Sequence, residues 1–418
     1  MSRVGRAKIV IAGSFGYRDI GDEAMLTEDL RFIHGELGIP KSNVTLFGYD
    51  TAYLARYHDH PAENCIATQR LERLGQFAGL KHYNALGRAK RIARSLLARR
   101  PVHPFDRGLA ALLSGADAAL VTGGGTINTR EPSGFSLTRM ATLVRAFKHH
   151  DLPLFISGQT IGPLGEYPHH DALAREIVEA ADVVTVRDHR YSRRYLDLIG
   201  AQPKELIETF DDAYTLDHQA AELPEATARF LAERPAVVVN ITDYTSDTFE
   251  QQAHIARLVD WLAGERGDRV LLLSHTPRDQ VRLFQIYDMC QPELRASVHL
   301  PDAREWSGSQ LKKAISLCRL AIGGRYHFIV FAGTTDTPFV GMAGNHYSYV
   351  KQHGFAEPIG LSRFVLTERE TRDFDTLTGR IAEAEGLSLH NAERFSRPSV
   401  SMRRFGSWFE GVMGTVVP

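Results

Sequence analysis

The chain has 418 residues, long enough for two domains that each bury a core of their own. Its 49 Lys and Arg stand against 50 Asp and Glu, a net charge of -1, which argues against a global field built for nucleic acid. Cys65, Cys290 and Cys318 are too few and too far apart for a disulfide framework or a cysteine-based zinc site, and no segment reaches membrane-spanning length, so a reducing cytoplasm is the expected compartment.

In chain order, short apolar or β-branched runs at residues 8–12, 44–47, 118–121, 154–157 and 183–186 read as buried strands separated by helix-length segments. That alternation predicts a parallel sheet with crossover helices. Residues 81–100 carry seven Lys or Arg and no acid, with Tyr83, Leu86, Ile92, Leu96 and Leu97 at partly helical spacing. Such a stretch is either a solvated helix face or a peripheral contact with an anionic membrane. After a polar, acidic stretch at 208–224 the pattern restarts, with strands expected at 236–241, 270–274, 320–322 and 338–340. The boundary is placed near residue 218. Residues 1–218 are expected to form a first α/β domain and 219–418 a second, which carries the candidate anion site described below. The last segment, 387–418, sets Phe395, Phe405, Trp408 and Phe409 among basic residues, which predicts a packed helix that could cross back onto the first domain.

Ligands of open α/β sheets bind beyond the carboxyl ends of the strands, so the turns there carry the candidate chemistry. The first turn, 13–24, spaces glycines without the dinucleotide or phosphate-loop fingerprint and ends in Gly21-Asp22-Glu23. Asp22 reads either as a helix cap or as a carboxylate that takes a proton from a sugar hydroxyl. Gly123, Gly124 and Gly125 make a tight turn suited to close approach of a ligand, and Gln159 offers both a donor and an acceptor for hydroxyl recognition. Arg187 and Asp188 follow the expected strand at 183–186, as an ion pair or as site residues. In the second half, Leu320-Ala321-Ile322 breaks at Gly323-Gly324 and releases Arg325 and His327 at a helix start. The stretch reads either as an anion site with a proton donor attached, where free backbone N–H groups, a forked guanidinium and an imidazole converge, or as an ordinary strand-to-helix turn whose Arg and His meet solvent. Another ligand-facing turn is expected at 274–278, and Asn345 follows the next strand. The histidine pairs at 149–150 and 169–170 have no acidic partner nearby, so no metal is expected.

The succession of residues 16–24, the glycine turn at 122–126, Gly158-Gln159-Thr160-Ile161-Gly162-Pro163, the stretch from Ala181-Asp182 to Arg187-Asp188, and Arg325-Tyr326-His327 before Phe331-Ala332 resembles the polysaccharide pyruvyl transferase family over residues 8–355. The resemblance implies an α/β fold of two Rossmann-like domains facing each other in a GT-B-like arrangement. It also implies transfer of pyruvate from phosphoenolpyruvate, as a ketal, onto two hydroxyls of a sugar or glycolipid, with no cofactor. Arg325, Arg187, Gly323 and Gly324 would then hold the donor, and His327 would be the general acid. Asp22 or Asp188 would be the base, with Gly123, Gly124, Gly125, Gln159 and Asn345 toward the acceptor. Asp19 stands where members of that family commonly have asparagine, and residues 345–351 match the usual lysine-bearing segment only in part. Two rival functions share the fold class: a glycosyltransferase using a nucleotide sugar, and a non-catalytic sensor of acidic sugars.

Overall fold

The computed structural model describes residues 3–64, 107–130, 135–390 and 400–415. The basic stretch at 81–100 lies outside them. The chain forms two compact units, one of Met1–Tyr17, Asp29–Phe210 and Val400–Pro418, the other of Arg18–Glu28 and Asp211–Ser399. This division is more interleaved than a single cut near 218, because eleven early residues group with the second unit and the C-terminal segment groups with the first.

The first unit is built from β1 (Ile9–Gly13), α1 (Ile20–Gly35), β2 (Val44–Gly48), α2 (Thr51–Tyr57), β3 (Ala62–Asn64), α3 (Arg107–Ser114), β4 (Ala118–Thr122), α4 (Phe135–His149), β5 (Leu154–Gln159), α5 (Pro168–Ala180), β6 (Val183–Val186), α6 (Tyr191–Ile199) and β7 (Leu206–Glu208). Residues of α1 through Glu28 belong to the second unit. The sheet order is β3-β2-β1-β4-β5-β6-β7 with every pairing parallel. A parallel sheet covered on both faces needs strands that are apolar on both sides, and Ala118–Thr122 and Leu154–Gln159 are buried at every position.

The second unit continues with α7 (Glu225–Glu233), β8 (Val237–Val239), α8 (Asp243–Ser246), α9 (Phe249–Asp260), β9 (Val270–Leu272), α10 (Pro277–Met289), β10 (Val298–His299), α11 (Gly308–Ser316), β11 (Leu320–Gly323), α12 (Tyr326–Gly333), β12 (Phe339–Met342), α13 (His346–Ala356), β13 (Val365–Leu366), α14 (Glu368–Arg372) and α15 (Phe374–Glu385). Its strands lie in the order β10-β9-β8-β11-β12-β13, again all parallel. Both units are thus doubly wound α/β sheets of the Rossmann-like, GT-B-like class. In each, the strand order reverses direction at one place, between β1 and β4 and between β8 and β11, and that is where such sheets open a crevice.

The final helix, α16 (Val400–Thr415), packs within the first unit. Phe405 and Phe409, four residues apart, are fully buried on one helix face, and the Phe405 ring meets Phe155 edge-on at 5.4 Å. Ser401 Oγ lies 2.5 Å from Ser157 Oγ and 2.6 Å from Thr185 Oγ1, so a buried chain of hydroxyls fixes the helix to β5 and β6. No described helix is long and apolar enough to cross a membrane.

Candidate active site

The second unit's switch point is shaped by the turn from β11 into α12. Asn240, fully buried after β8, accepts the Arg325 backbone N–H at 3.2 Å and donates to the Leu273 carbonyl at 2.8 Å. Gln352 donates to the Gly324 carbonyl at 2.6 Å. The turn is therefore held from both sides before α12 begins at Tyr326, with Arg325 in the cap position. A Cβ on Gly323 would lie 2.6 Å from the Phe328 ring, and one on Gly324 would lie 2.9 Å from Thr242 Cγ2. These glycines are required by the protein's own packing, which corrects the expectation that they leave room for a ligand.

Arg325 is already forked onto a carboxylate. Its Nε donates to Asp279 Oδ2 at 3.0 Å and its Nη2 to Asp279 Oδ1 at 2.6 Å, while Asp279 itself is wholly buried and also accepts the His275 and Thr276 backbone N–H groups. The remaining edge, Nη1, faces Asp19 Oδ2 at 3.7 Å, and Asp243 lies 3.6 Å from Nη2. Burial opposes the charge of Arg325, but these three carboxylates outweigh it and hold the guanidinium proton more tightly than usual. The forked face of the guanidinium is thus occupied by Asp279, and its Nη1 edge is turned to Asp19, a partly exposed carboxylate.

His327 is one residue inside α12 and its side chain is 7 % exposed. Its Nε2 lies 3.4 Å from Asp211 Oδ2, an ion-pair distance. The opposite side of the ring rests on Gly21, where a Cβ would fall 1.8 Å from Nδ1. The ring is therefore clamped between a carboxylate that orients it and a backbone that tolerates no side chain. Asp211, fully buried, is the cap of a short 3-10 turn, accepting the Ala213 N–H at 2.9 Å. Sequence reading passed it over as part of an acidic linker. Its signal was a pair of adjacent aspartates directly after an apolar Phe210.

Asp19, not Asp22, caps α1. The Asp19 carbonyl accepts the Glu23 N–H at 3.1 Å and its Oδ1 accepts the Gly21 N–H at 3.0 Å. Asp22 is half-buried in the first helical turn. Burial pushes the Asp19 carboxyl up, but Arg325, His275, His327 and the Gly21 N–H together hold it below the usual carboxylate range. His275 is the turn's hidden member. Its carbonyl accepts the Ile20 N–H at 3.2 Å, its ring stacks on Phe331, and both ring nitrogens are buried without a hydrogen-bond partner. Burial, reinforced by Arg325 and His327 against the pull of Asp19, brings its pKa down to about 3, so it is neutral near pH 7. Lys312, also buried, donates to the Tyr214 carbonyl at 2.7 Å, and burial lowers it to about 8.

The other expected residues sit elsewhere. Asn345 caps α13 by accepting the Ser348 N–H at 2.9 Å, and it lines a cavity of about 690 Å³ with His346, Tyr349, Arg369 and Arg372. In the first unit, Gln159 donates to the Gly123 carbonyl at 3.2 Å and accepts from Thr126 at 3.3 Å. Gly123 and Gly124 take φ of 88° and 75°, the left-handed region that explains two of the three glycines, and Gly125 lies beyond them. Arg187, 1 % exposed, donates from Nε to Thr160 Oγ1 at 2.9 Å, and its N–H bonds the Gln159 carbonyl at 3.0 Å. The Gly123 turn, Gln159 and Arg187 thus assemble at one sheet edge. Asp188, two residues before the N-cap Arg190, accepts from the N–H groups of Arg190, Tyr191 and Ser192 and from the Ser192 hydroxyl, so it closes the first turn of α6. Those four bonds account for its burial and leave it poorly placed as a base.

The model of the polysaccharide pyruvyl transferase family matches residues 20–346, well over half of the chain. No curated protein matches it. Among solved structures, UDP-GlcNAc 2-epimerase from Methanocaldococcus jannaschii is similar, with TM-score 0.60 and 9 % identity over 96 % of this chain and 99 % of that one. HepE of Anabaena, in complex with UDP and glucose, gives TM-score 0.54 and 12 % identity over 98 % and 100 %. Trehalose 6-phosphate synthase from Burkholderia multivorans gives 0.52 and 12 % over 98 % and 97 %. At these identities the likeness is one of fold.

Proposed function

The chain belongs to the polysaccharide pyruvyl transferase family, and from that premise we propose that it moves pyruvate from phosphoenolpyruvate onto two hydroxyls of a sugar in a glycan or glycolipid. The product is a cyclic ketal, and phosphate is released. The observation that carries this reading is His327, clamped between Asp211 and Gly21 two residues after Arg325. Such an imidazole suits a general acid whose direction matters.

In this mechanism His327 protonates the donor's methylene carbon, the carbon–carbon double bond supplying the electron pair, and the first sugar hydroxyl bonds to the adjacent enol carbon. The bond to the phosphate oxygen then breaks with its electrons, and the second hydroxyl closes the ring. Of the two hydroxyl protons, one restores His327 and the other leaves with phosphate. The balance is redox-neutral and asks for no electron-carrying cofactor. Asp211, 3.4 Å from Nε2, orients the imidazole. Within the second unit Arg325 binds an anionic group of the donor, Asp22 is the candidate base, and Asn345 serves the acceptor.

A second reading, transfer from a nucleotide sugar, draws on the fold neighbours, one of which holds UDP and glucose. Incubation with phosphoenolpyruvate and, separately, with UDP-sugars over a panel of hexose acceptors separates the two. Phosphate release that depends on both phosphoenolpyruvate and acceptor supports pyruvyl transfer, and UDP release with phosphoenolpyruvate untouched rejects it.

A further inference from the structure

Arg325 has two kinds of carboxylate partner. Asp279 is permanent, with no exposed side-chain surface, two hydrogen bonds to the guanidinium and two backbone N–H donors of its own. Asp19 is different. Its side chain is 28 % exposed, and its Oδ2 meets Nη1 at 3.7 Å without a hydrogen bond, while Oδ1 is committed to the Gly21 N–H. The same carboxylate lies within the electrostatic reach of His275 and His327. Asp243, the other exposed carboxylate near the guanidinium, is paired with Arg282, so among the described residues Asp19 faces the arginine edge that makes no hydrogen bond and also lies near both histidines.

We propose that Asp19 is an internal counter-ion of the donor site, holding the place that an anionic group of the donor takes and thereby setting donor affinity. This rests on the reading of Arg325 and His327 as the donor-binding group. A phosphate or carboxylate oxygen approaching Nη1 meets a fixed negative charge there, and the two repel in a part of the protein where charges are weakly screened. Asp19 remains ionised near pH 7, since its cationic neighbours hold it below the ordinary range, so the competition is always present. The carboxylate is also a cap, and its two functions can be separated by substitution: asparagine keeps an oxygen for the Gly21 N–H and loses the charge, whereas alanine loses both.

The test is calorimetric titration of the full-length protein with inorganic phosphate and with phosphoenolpyruvate, beside steady-state kinetics. Asp19→Asn should tighten both dissociation constants by about tenfold or more and lower the donor KM in proportion. Asp19→Ala should tighten them similarly while lowering the melting temperature. If Asp19→Asn leaves phosphate binding unchanged or weaker, the inference is wrong. A kcat loss of a hundredfold with KM unchanged also overturns it, because Asp19 would then act on the reacting atoms. Tighter phosphate binding in the variant with no turnover of phosphoenolpyruvate by either protein would retain the inference and reject the donor reading. Normal turnover by the parent with identical donor KM in both would do the reverse.

Discussion

His327 and Gly21 test each other. If His327 is the general acid proposed above, replacing it by alanine removes a proton donor used in the transition state and little ground-state contact. Turnover should fall by about a thousandfold, with phosphoenolpyruvate affinity changed only a few-fold, which stopped-flow and equilibrium titration can check. Near-parental turnover would remove His327 from the chemistry. Gly21→Ala acts on the same ring from the other side, because the new methyl would sit 1.8 Å from Nδ1 and the ring must move. A displacement of about 1 Å from productive geometry costs on the order of a hundredfold in rate. Its thermodynamic signature is a double-mutant cycle: Gly21→Ala should lower the melting temperature in the parent and lower it much less in the His327→Ala background. Equal losses in both backgrounds would mean that the clash lies elsewhere.

At the scale of elements, the central strands were readable from sequence and the edges were not. Runs such as Ile9–Gly13 and Leu320–Gly323 are continuous and apolar because both faces of a central parallel strand are covered. Ala62–Asn64, Leu206–Glu208, Val298–His299 and Val365–Leu366 lie at or near sheet edges and are two or three residues long, too short to show any period. The strand-to-helix turn at Arg325 was legible because Gly-Gly-Arg-x-His is a local signal. Asp279 and Asp211, which engage Arg325 and His327, come from distant segments, and only the fold brings them there. The same limit led to Asp22 as the cap of α1, since Asp19 and Asp22 are equally good cap residues and their order along the helix is decided by the backbone.

The turn at His275 also has a stability consequence. With a native pKa of about 3 against an ordinary 6.5, the unfolded chain takes up this proton first, so stability is complete above pH 6.5 and is lost as pH falls from there toward 3. His218, lowered to about 4, acts in the same direction, so the informative quantity is a difference between proteins. His275→Phe keeps a ring against Phe331 and removes two unpartnered nitrogens. It should lose about 2 kcal/mol less stability than the parent between pH 6.5 and 4.5, measured by urea unfolding at each pH. Parallel curves would show that His275 protonates freely in the native state.

Over the whole molecule, the two units share a topology and differ in the chemistry at their switch points. The first presents a glycine turn, Gln159 and a buried Arg187, and the second presents Arg325, His327 and their carboxylates. A near-neutral chain accommodates this because Arg325 is matched locally by Asp19, Asp243 and Asp279, and Asp211 lies beside His327.

The most direct measurement is the reaction run in D2O with phosphoenolpyruvate and an accepted sugar, followed by mass and NMR analysis of the product and by phosphate assay. Protonation of the methylene carbon by His327 predicts a ketal whose methyl group carries one deuterium, with one phosphate released per ketal. A product that keeps the carbon–carbon double bond, or sugar transfer from a nucleotide donor with phosphoenolpyruvate unconsumed, would contradict it.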